Sequence, residues 1–204
     1  MGGQAWGGQG AEKGGVEVEA SWSGRGPDEA AFPIRVADGL RRLEGLNGLH
    51  VGPMVRRAAQ FLVGDGPVSQ QDRWEENSGY SVFTLATEVA AMLAAADFGD
   101  AAGEAEVAKY LRETADCWNA QIERWTYVSE TELAKRGGVD GYYIRIAPPD
   151  LLQHDGPADC EVEIKNQPGG TKAFPAWDVV SVDALALVRF GLRAADDPRI
   201  LSTV

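Results

Sequence analysis

From Val82 onward, Val82, Leu85, Val89, Met92 and Leu93 recur at three- and four-residue intervals, with alanine filling much of the space between them. The spacing puts all five on one face of a helix, and alanine is the strongest helix former. No other pattern in the chain constrains its fold as much, because an amphipathic helix needs further elements to cover its apolar face. Phe98-Gly99-Asp100 is expected to break it. The same period marks Glu29–Leu43, through Phe32, Val36, Leu40 and Leu43, with Pro33 in the first turn where its missing N–H costs nothing. Val51–Val63 reads as a second helix, with Pro53 near its start and Gly64-Asp65-Gly66-Pro67 ending it. The longest pattern runs from Ala101 to Val128 through Val107, Tyr110, Leu111, Thr114, Trp118, Ile122 and Trp125. A last helix is expected from Ser181 to Ala195, with Asp183 in its first turn and Asp196-Asp197-Pro198 as its stop. Helices alternating with loops predict a mainly α chain of α/α hairpins.

Residues 129–177 differ. Arg136-Gly137-Gly138-Val139-Asp140-Gly141, His154-Asp155-Gly156-Pro157 and Gln167-Pro168-Gly169-Gly170 read as turns, and Tyr142–Ile146 as a short β-like run closed by Pro148-Pro149. A loop-rich excursion with a small β-hairpin is expected around residues 136–177, of the kind that shapes a binding face. The first 28 residues are Gly-rich and show no sustained period, so an irregular lead-in is expected there.

A formal net charge of −12 argues against nucleic acid as a partner, since phosphate-backbone binding needs clustered Lys and Arg. A neutral polysaccharide makes no such demand. No apolar run is read as approaching the ~20 residues of a membrane span, so no membrane partner is expected. Met1-Gly2-Gly3-Gln4-Ala5-Trp6-Gly7-Gly8 lacks the charged start and apolar stretch of a signal peptide. Cys117 is expected to pack as a small hydrophobe; Cys160 lies in an acidic loop, and a bridge between the two is left open. His50 and His154 have no ligand-spaced partners, so neither a transition-metal site nor a cofactor is expected.

The charged cluster sits in the connection from Val68 to Gly79. Asp72-Arg73-Trp74-Glu75-Glu76 places three carboxylates, an arginine and an indole in five consecutive positions, closed by Ser78-Gly79. A carboxyl group pressed against a large aromatic keeps its proton to higher pH, which is what protonating a glycosidic oxygen requires. The plainer alternative is a solvated acidic turn with the indole tucked beneath it.

Asp72-Arg73-Trp74-Glu75-Glu76-Asn77-Ser78-Gly79-Tyr80, followed by Phe83-Thr84-Leu85-Ala86, resembles the general-acid segment of the inverting glucoamylase and glucodextranase family, glycoside hydrolase family 15. Three more segments agree, in order, over roughly residues 20 to 204. Trp22-Ser23-Gly24-Arg25-Gly26-Pro27-Asp28 is similar to the family's upstream substrate loop. Tyr142-Tyr143-Ile144-Arg145-Ile146-Ala147-Pro148-Pro149 is similar to a loop of its bacterial members, and Leu187–Arg193 with Asp196-Asp197-Pro198 to a later helix and its exit. The resemblance implies an (α/α)6 toroid, a ring of α-hairpins to which the five helices expected here contribute a middle portion. It implies that the intact enzyme releases glucose from the non-reducing ends of α-linked glucans, with inversion.

Residue by residue, the resemblance makes Glu75 the general acid and Glu76 the adjacent carboxylate that holds sugar hydroxyls. Asp72 would tune the acid or contact substrate, Trp74 would wall it, and Trp22 would pack on the sugar. Asp28 matches a substrate-loop carboxylate. Arg73, familiar in bacterial members, is expected to pair with one of these carboxylates. Glu29 reads equally as a first-turn acid favoured by the helix dipole. Tyr80, Phe83, Trp118 and Trp125 are expected to be packing residues, and Arg145 and Arg189 to be in structural ion pairs. Inversion needs a second carboxylate as general base, and no segment resembles the family's base-bearing one; nor is its upstream Trp-Thr-Arg-Asp-type segment present. The chain alone is therefore expected to be inactive or nearly so, with helix faces left open to self-association. The rival reading is a non-catalytic carbohydrate-binding or helical interaction module, with Trp22 and Trp74 as a stacking platform.

Overall fold

A computed structural model describes residues 26–165 and 167–204. At its centre is α3, Val82–Ala101. Ser81 caps it, its hydroxyl oxygen accepting the Thr84 N–H at 3.4 Å. Alanines at 86, 90, 91, 94, 95 and 96 are all buried, and such small side chains let α1 (Pro27–Arg42), α2 (Gly52–Asp65) and α4 (Ala105–Asn119) pack close on several sides. Gly99 does not break α3. It is buried where a Cβ would lie 3.4 Å from the Ala108 Cβ, so it serves close packing against α4. The chain turns instead at Gly103, whose φ of +77° suits glycine. By length and composition α3 is long and apolar enough to cross a membrane, contrary to expectation, but it is mostly buried inside the protein.

The other helices depart from expectation in instructive ways. Pro27, not Pro33, occupies the first turn of α1, and Pro33 falls inside the helix. There it cannot return an N–H to the Glu29 carbonyl. The face of α1 turned inward carries Ala30, Ala31, Ile34, Ala37 and Asp38, whereas Phe32, Val36 and Leu43 on the expected apolar face are 42%, 60% and 80% exposed. Small residues win because they let α1 approach α3, and Asp38 is tolerated because Arg41 and Arg42 reach its carboxylate at 2.8 and 2.9 Å. The 101–128 pattern divides into α4, α5 (Ile122–Thr126) and strand β2 (Tyr127–Ser129). Trp118 and Trp125 are buried as expected, but Cys117 is exposed; both cysteines are free.

The excursion holds a short unexpected helix, α6 (Glu132–Gly137), capped by Thr131 and ended by Gly138 at φ +67°. Three two-stranded antiparallel ladders follow from it. β1 (Tyr80–Ser81) pairs β4 (Ile146–Ala147), and β2 pairs β3 (Gly141–Tyr143). β5 (Glu161–Ile164) and β6 (Lys172–Pro175) make the expected hairpin, turning at Gly169-Gly170. The run expected over 142–146 is thus split between two ladders. Ser181–Ala195 contains only a 3-10 turn, Val182–Ala184, and α7 (Leu185–Arg189). Pro198 starts a short helix, α8 (Pro198–Leu201), with Asp197 as its cap, rather than acting as a stop.

One core group is out of keeping with its surroundings. Glu88, on α3, is fully buried, and neither carboxylate oxygen has a hydrogen-bond partner among the described residues. It sits under Gly66, where an added Cβ would meet Glu88 Oε1 at 2.8 Å. Burial raises its carboxyl well above the usual 4.5, and the charge of Asp28 adds to the effect. Below pH 4.5 it is neutral in both the folded and unfolded chain, so its titration adds no pH dependence to stability there. As pH rises past 4.5 only the unfolded chain releases the proton, and the folded state loses stability until the folded value is reached. Glu88→Gln should therefore gain stability over the parent as pH rises from 4 to 7.5, by urea denaturation; an equal difference at both ends of that range would refute the assignment.

Candidate active site

The loop between α2 and β1 is built around one of its own carboxylates. Ser69 and Gly79 exchange backbone hydrogen bonds at 2.9 Å and close it. Inside, Asp72 is 3% exposed, and its Oδ1 accepts N–H groups from Trp74, Glu76 and Asn77 at 3.2, 3.0 and 3.5 Å. The Asp72 N–H donates to the Asn77 carbonyl at 2.7 Å, and the Glu75 N–H to the Asp72 carbonyl at 2.9 Å. This wrapping holds Glu75 at φ +56°, a left-handed conformation that costs a non-glycine residue of order 1–3 kcal/mol. Gly79 lies so close to β4 that an added Cβ would meet the Ala147 carbonyl oxygen at 2.0 Å.

Arg145, between β3 and β4, reaches the loop from the excursion. Its side chain is 11% exposed; Nη1 donates to Glu76 Oε2 at 2.8 Å, Nη2 to Asn77 Oδ1, and Nε faces Asp72 Oδ2 at 3.4 Å. Asn77 Nδ2 in turn donates to the Glu163 carbonyl on β5 at 2.9 Å. Below the loop, Tyr80 packs on Trp125, ring centroids 4.9 Å apart.

The structure thus brings Asp72, Glu75 and Glu76 together on one loop, with two corrections. Arg73 pairs with none of them. Arg145 already occupies Asp72 and Glu76, and Arg73 points out of the loop to Asp183, in the turn before α7, at 2.9 Å. Its guanidinium lies 4.7 Å from the Phe83 ring centroid and 5.3 Å from that of Trp74. Nor does Trp74 wall off an acid: it is 57% exposed, and Glu75 is exposed too. Among the described residues the Glu75 side chain has neither a hydrogen bond nor an ion pair, the one carboxylate of the three left open. Asp28 stands in the first turn of α1; burial pushes its carboxyl up, against weaker opposition from backbone N–H groups and Arg73. Trp22 lies outside the described residues.

Sequence reading gave Arg145 a structural ion pair without naming its partners, and missed Asn77, Asp183 and Glu88. A signal existed for Arg145: a lone charge in the otherwise apolar Tyr142-Tyr143-Ile144-Arg145-Ile146 must find a buried partner.

Residues 47–201 match the profile of glycosyl hydrolases family 15. The chain belongs to glycosyl hydrolase family 15. It is 36% identical, over 183 residues, to a glucoamylase of Clostridium sp. (strain G0005), an alignment covering 90% of this chain and 24% of that protein. A crystal structure of bacterial glucoamylase complexed with acarbose matches with a TM-score of 0.68 at 35% identity, covering 86% of this chain and 24% of the other. The chain therefore spans about a quarter of the length of the relatives it matches. Its helices form part of the family 15 (α/α)6 toroid, with small strand pairs added, as the resemblance implied.

The wrapped loop makes a ranked prediction. Asp72→Ala leaves three loop N–H groups without their acceptor and Arg145 without one of its partners, and should lower the unfolding free energy by about 2–4 kcal/mol. Gly79→Ala should cost about 1–3 kcal/mol or more through its clash with β4. Arg73→Ala, which loses a half-exposed ion pair and two surface ring contacts, should cost about 1 kcal/mol. Urea unfolding of the three variants gives the order, and a costlier Arg73 change would contradict this picture of the loop.

Proposed function

We propose that this chain carries the proton-donating side of an inverting exo-α-glucosidase site, with Glu75 as the general acid, within a central portion of the catalytic toroid. One observation carries the reading: of the three loop carboxylates, Glu75 alone is exposed and unpaired, at the crest of a loop whose other two are held by Arg145. The substrate class is an α-glucan or oligosaccharide, supported by relatives that are a glucoamylase and a glucoamylase complexed with acarbose.

In the proposed step the Glu75 carboxyl delivers its proton to the glycosidic oxygen as the bond to the anomeric carbon breaks and positive charge spreads over the sugar ring. Water then attacks the opposite face, activated by a second carboxylate roughly 6.5–9.5 Å from the first. The base is proposed to come from a segment outside this chain. Trp74 offers an indole face to the sugar's C–H surface, and water leaves the acid when the sugar covers both. Glu76, Asp72, Arg73, Asp28 and Trp22 complete the proposed substrate-binding set.

A second reading, a carbohydrate-binding module without turnover, is favoured by the same half-exposed Trp74 backed by Arg73. Glucose release from maltose and isomaltose, by the intact protein that contains this chain and by its Glu75→Gln variant, separates the two. Turnover abolished by the substitution supports the acid assignment, and turnover that survives it rules Glu75 out. Maltose binding without glucose from either protein favours the binding module. The exposed Phe32, Val36 and Leu43 along α1 are proposed to drive self-association of the isolated chain. Sedimentation velocity should show concentration-dependent association that weakens in Val36→Ser; a monomer at every concentration would refute it.

A further inference from the structure

We infer that Arg145 is the positioning residue of this site, fixing where Glu75 can point by engaging its neighbours on both sides; the inference rests on the reading of Glu75 as proton donor. The guanidinium touches the loop before and after the Trp74-Glu75 crest. Asp72 faces its Nε, while Glu76 and Asn77 accept from Nη1 and Nη2. A planar fork with fixed donor directions can hold these groups in one relative geometry, which a point charge on a flexible stem cannot.

The fork is itself well anchored. The Arg145 N–H donates to the Val179 carbonyl at 2.8 Å, and Ile144 bridges Val180. The next two residues, Ile146 and Ala147, pair with Ser81 and Tyr80, where the acid loop ends. The excursion therefore grips the loop at its exit by a ladder, at Asn77 through the Glu163 carbonyl, and at its centre by the Arg145 side chain. Without that side chain, three carboxylates within five residues repel one another with no guanidinium to offset them, and only the crest N–H groups themselves orient the Asp72 carboxylate. The left-handed backbone at Glu75 is then free to relax. Oxygens that accept from a guanidinium are also unavailable to a glycosidic oxygen, so Arg145 selects which carboxylate faces the substrate.

The test compares Arg145→Lys, Arg145→Gln and Glu75→Gln with the parent chain, by maltose turnover and by amide hydrogen exchange. In both Arg145 variants the Trp74, Glu76 and Asn77 amides should exchange at least about tenfold faster, with α3 protection unchanged. Where turnover is measurable, kcat should fall by about a hundredfold in Arg145→Gln with KM moving far less, and Arg145→Lys should recover only part of it. Loop exchange and kcat both at parent values, or full rescue by lysine, would overturn the inference. So would loss of α3 protection in step with the loop, which marks a merely structural role. Should Glu75→Gln keep its turnover, the proton-donor reading fails by itself, and the exchange measurement still decides whether Arg145 holds the loop. In a chain without turnover, the exchange result alone decides.

Discussion

Close packing on the alanine surface of α3 is the constraint from which the rest of this structure follows. Because α3 presents Ala90, Ala91, Ala94 and Ala95 rather than bulky side chains, α1, α2 and α4 approach it on several sides and bury it almost completely. A helix held that firmly fixes its first turn, and the acid loop runs straight into that turn through Tyr80 and the Ser81 cap. The loop can then be strained at its crest because both of its ends are anchored, through the Ser69–Gly79 bridge and the β1–β4 ladder.

Buried and half-buried carboxylates are managed in four different ways. Asp38 is surrounded by Arg35, Arg41 and Arg42 along one helix face. Glu123 receives Arg193 through two bonds of 2.7 and 2.8 Å, together with the Tyr143 hydroxyl at 2.6 Å, and so ties α5 to the C-terminal segment. Asp72 is satisfied mainly by backbone N–H groups of its own loop. Glu88 has no partner among the described residues, and burial raises its carboxyl well above the usual range. The first two serve packing, and the third shapes the candidate site. Ion pairing by itself therefore does not single out the candidate site in this chain; what distinguishes its loop is the backbone wrapping around Asp72.

What could be read from the sequence followed from how local its physics is. The α3 pattern, the acid loop, the buried Trp118 and Trp125 and the Gly169-Gly170 turn all depend on neighbours within a few residues, and each is where the pattern places it. The buried side of α1 was misread because periodicity weighs Phe32 and Val36 above alanine, whereas the opposing helix rewards small side chains and an arginine-clamped aspartate. The partners of Arg73 and Arg145 were beyond reach for another reason. Asp183 lies 110 residues from Arg73, and Glu76 lies 69 residues from Arg145. No spacing rule spans such distances. The resemblance to family 15 pointed to this loop without revealing what holds it.

The separation between Glu76 and Arg145 also bears on how the chain acquires its site. On a ribosome the loop emerges first, and the guanidinium that organises it follows 69 residues later. At roughly 5–20 residues per second, that interval lasts several seconds. Throughout it, α1, α2 and the start of α3 can begin to pack while Asp72, Glu75 and Glu76 remain an uncompensated acidic segment, well solvated and poorly suited to premature burial. The helical scaffold and the candidate site are thus completed by segments that emerge in the nascent chain at different times, the guanidinium partner of the loop arriving with the excursion.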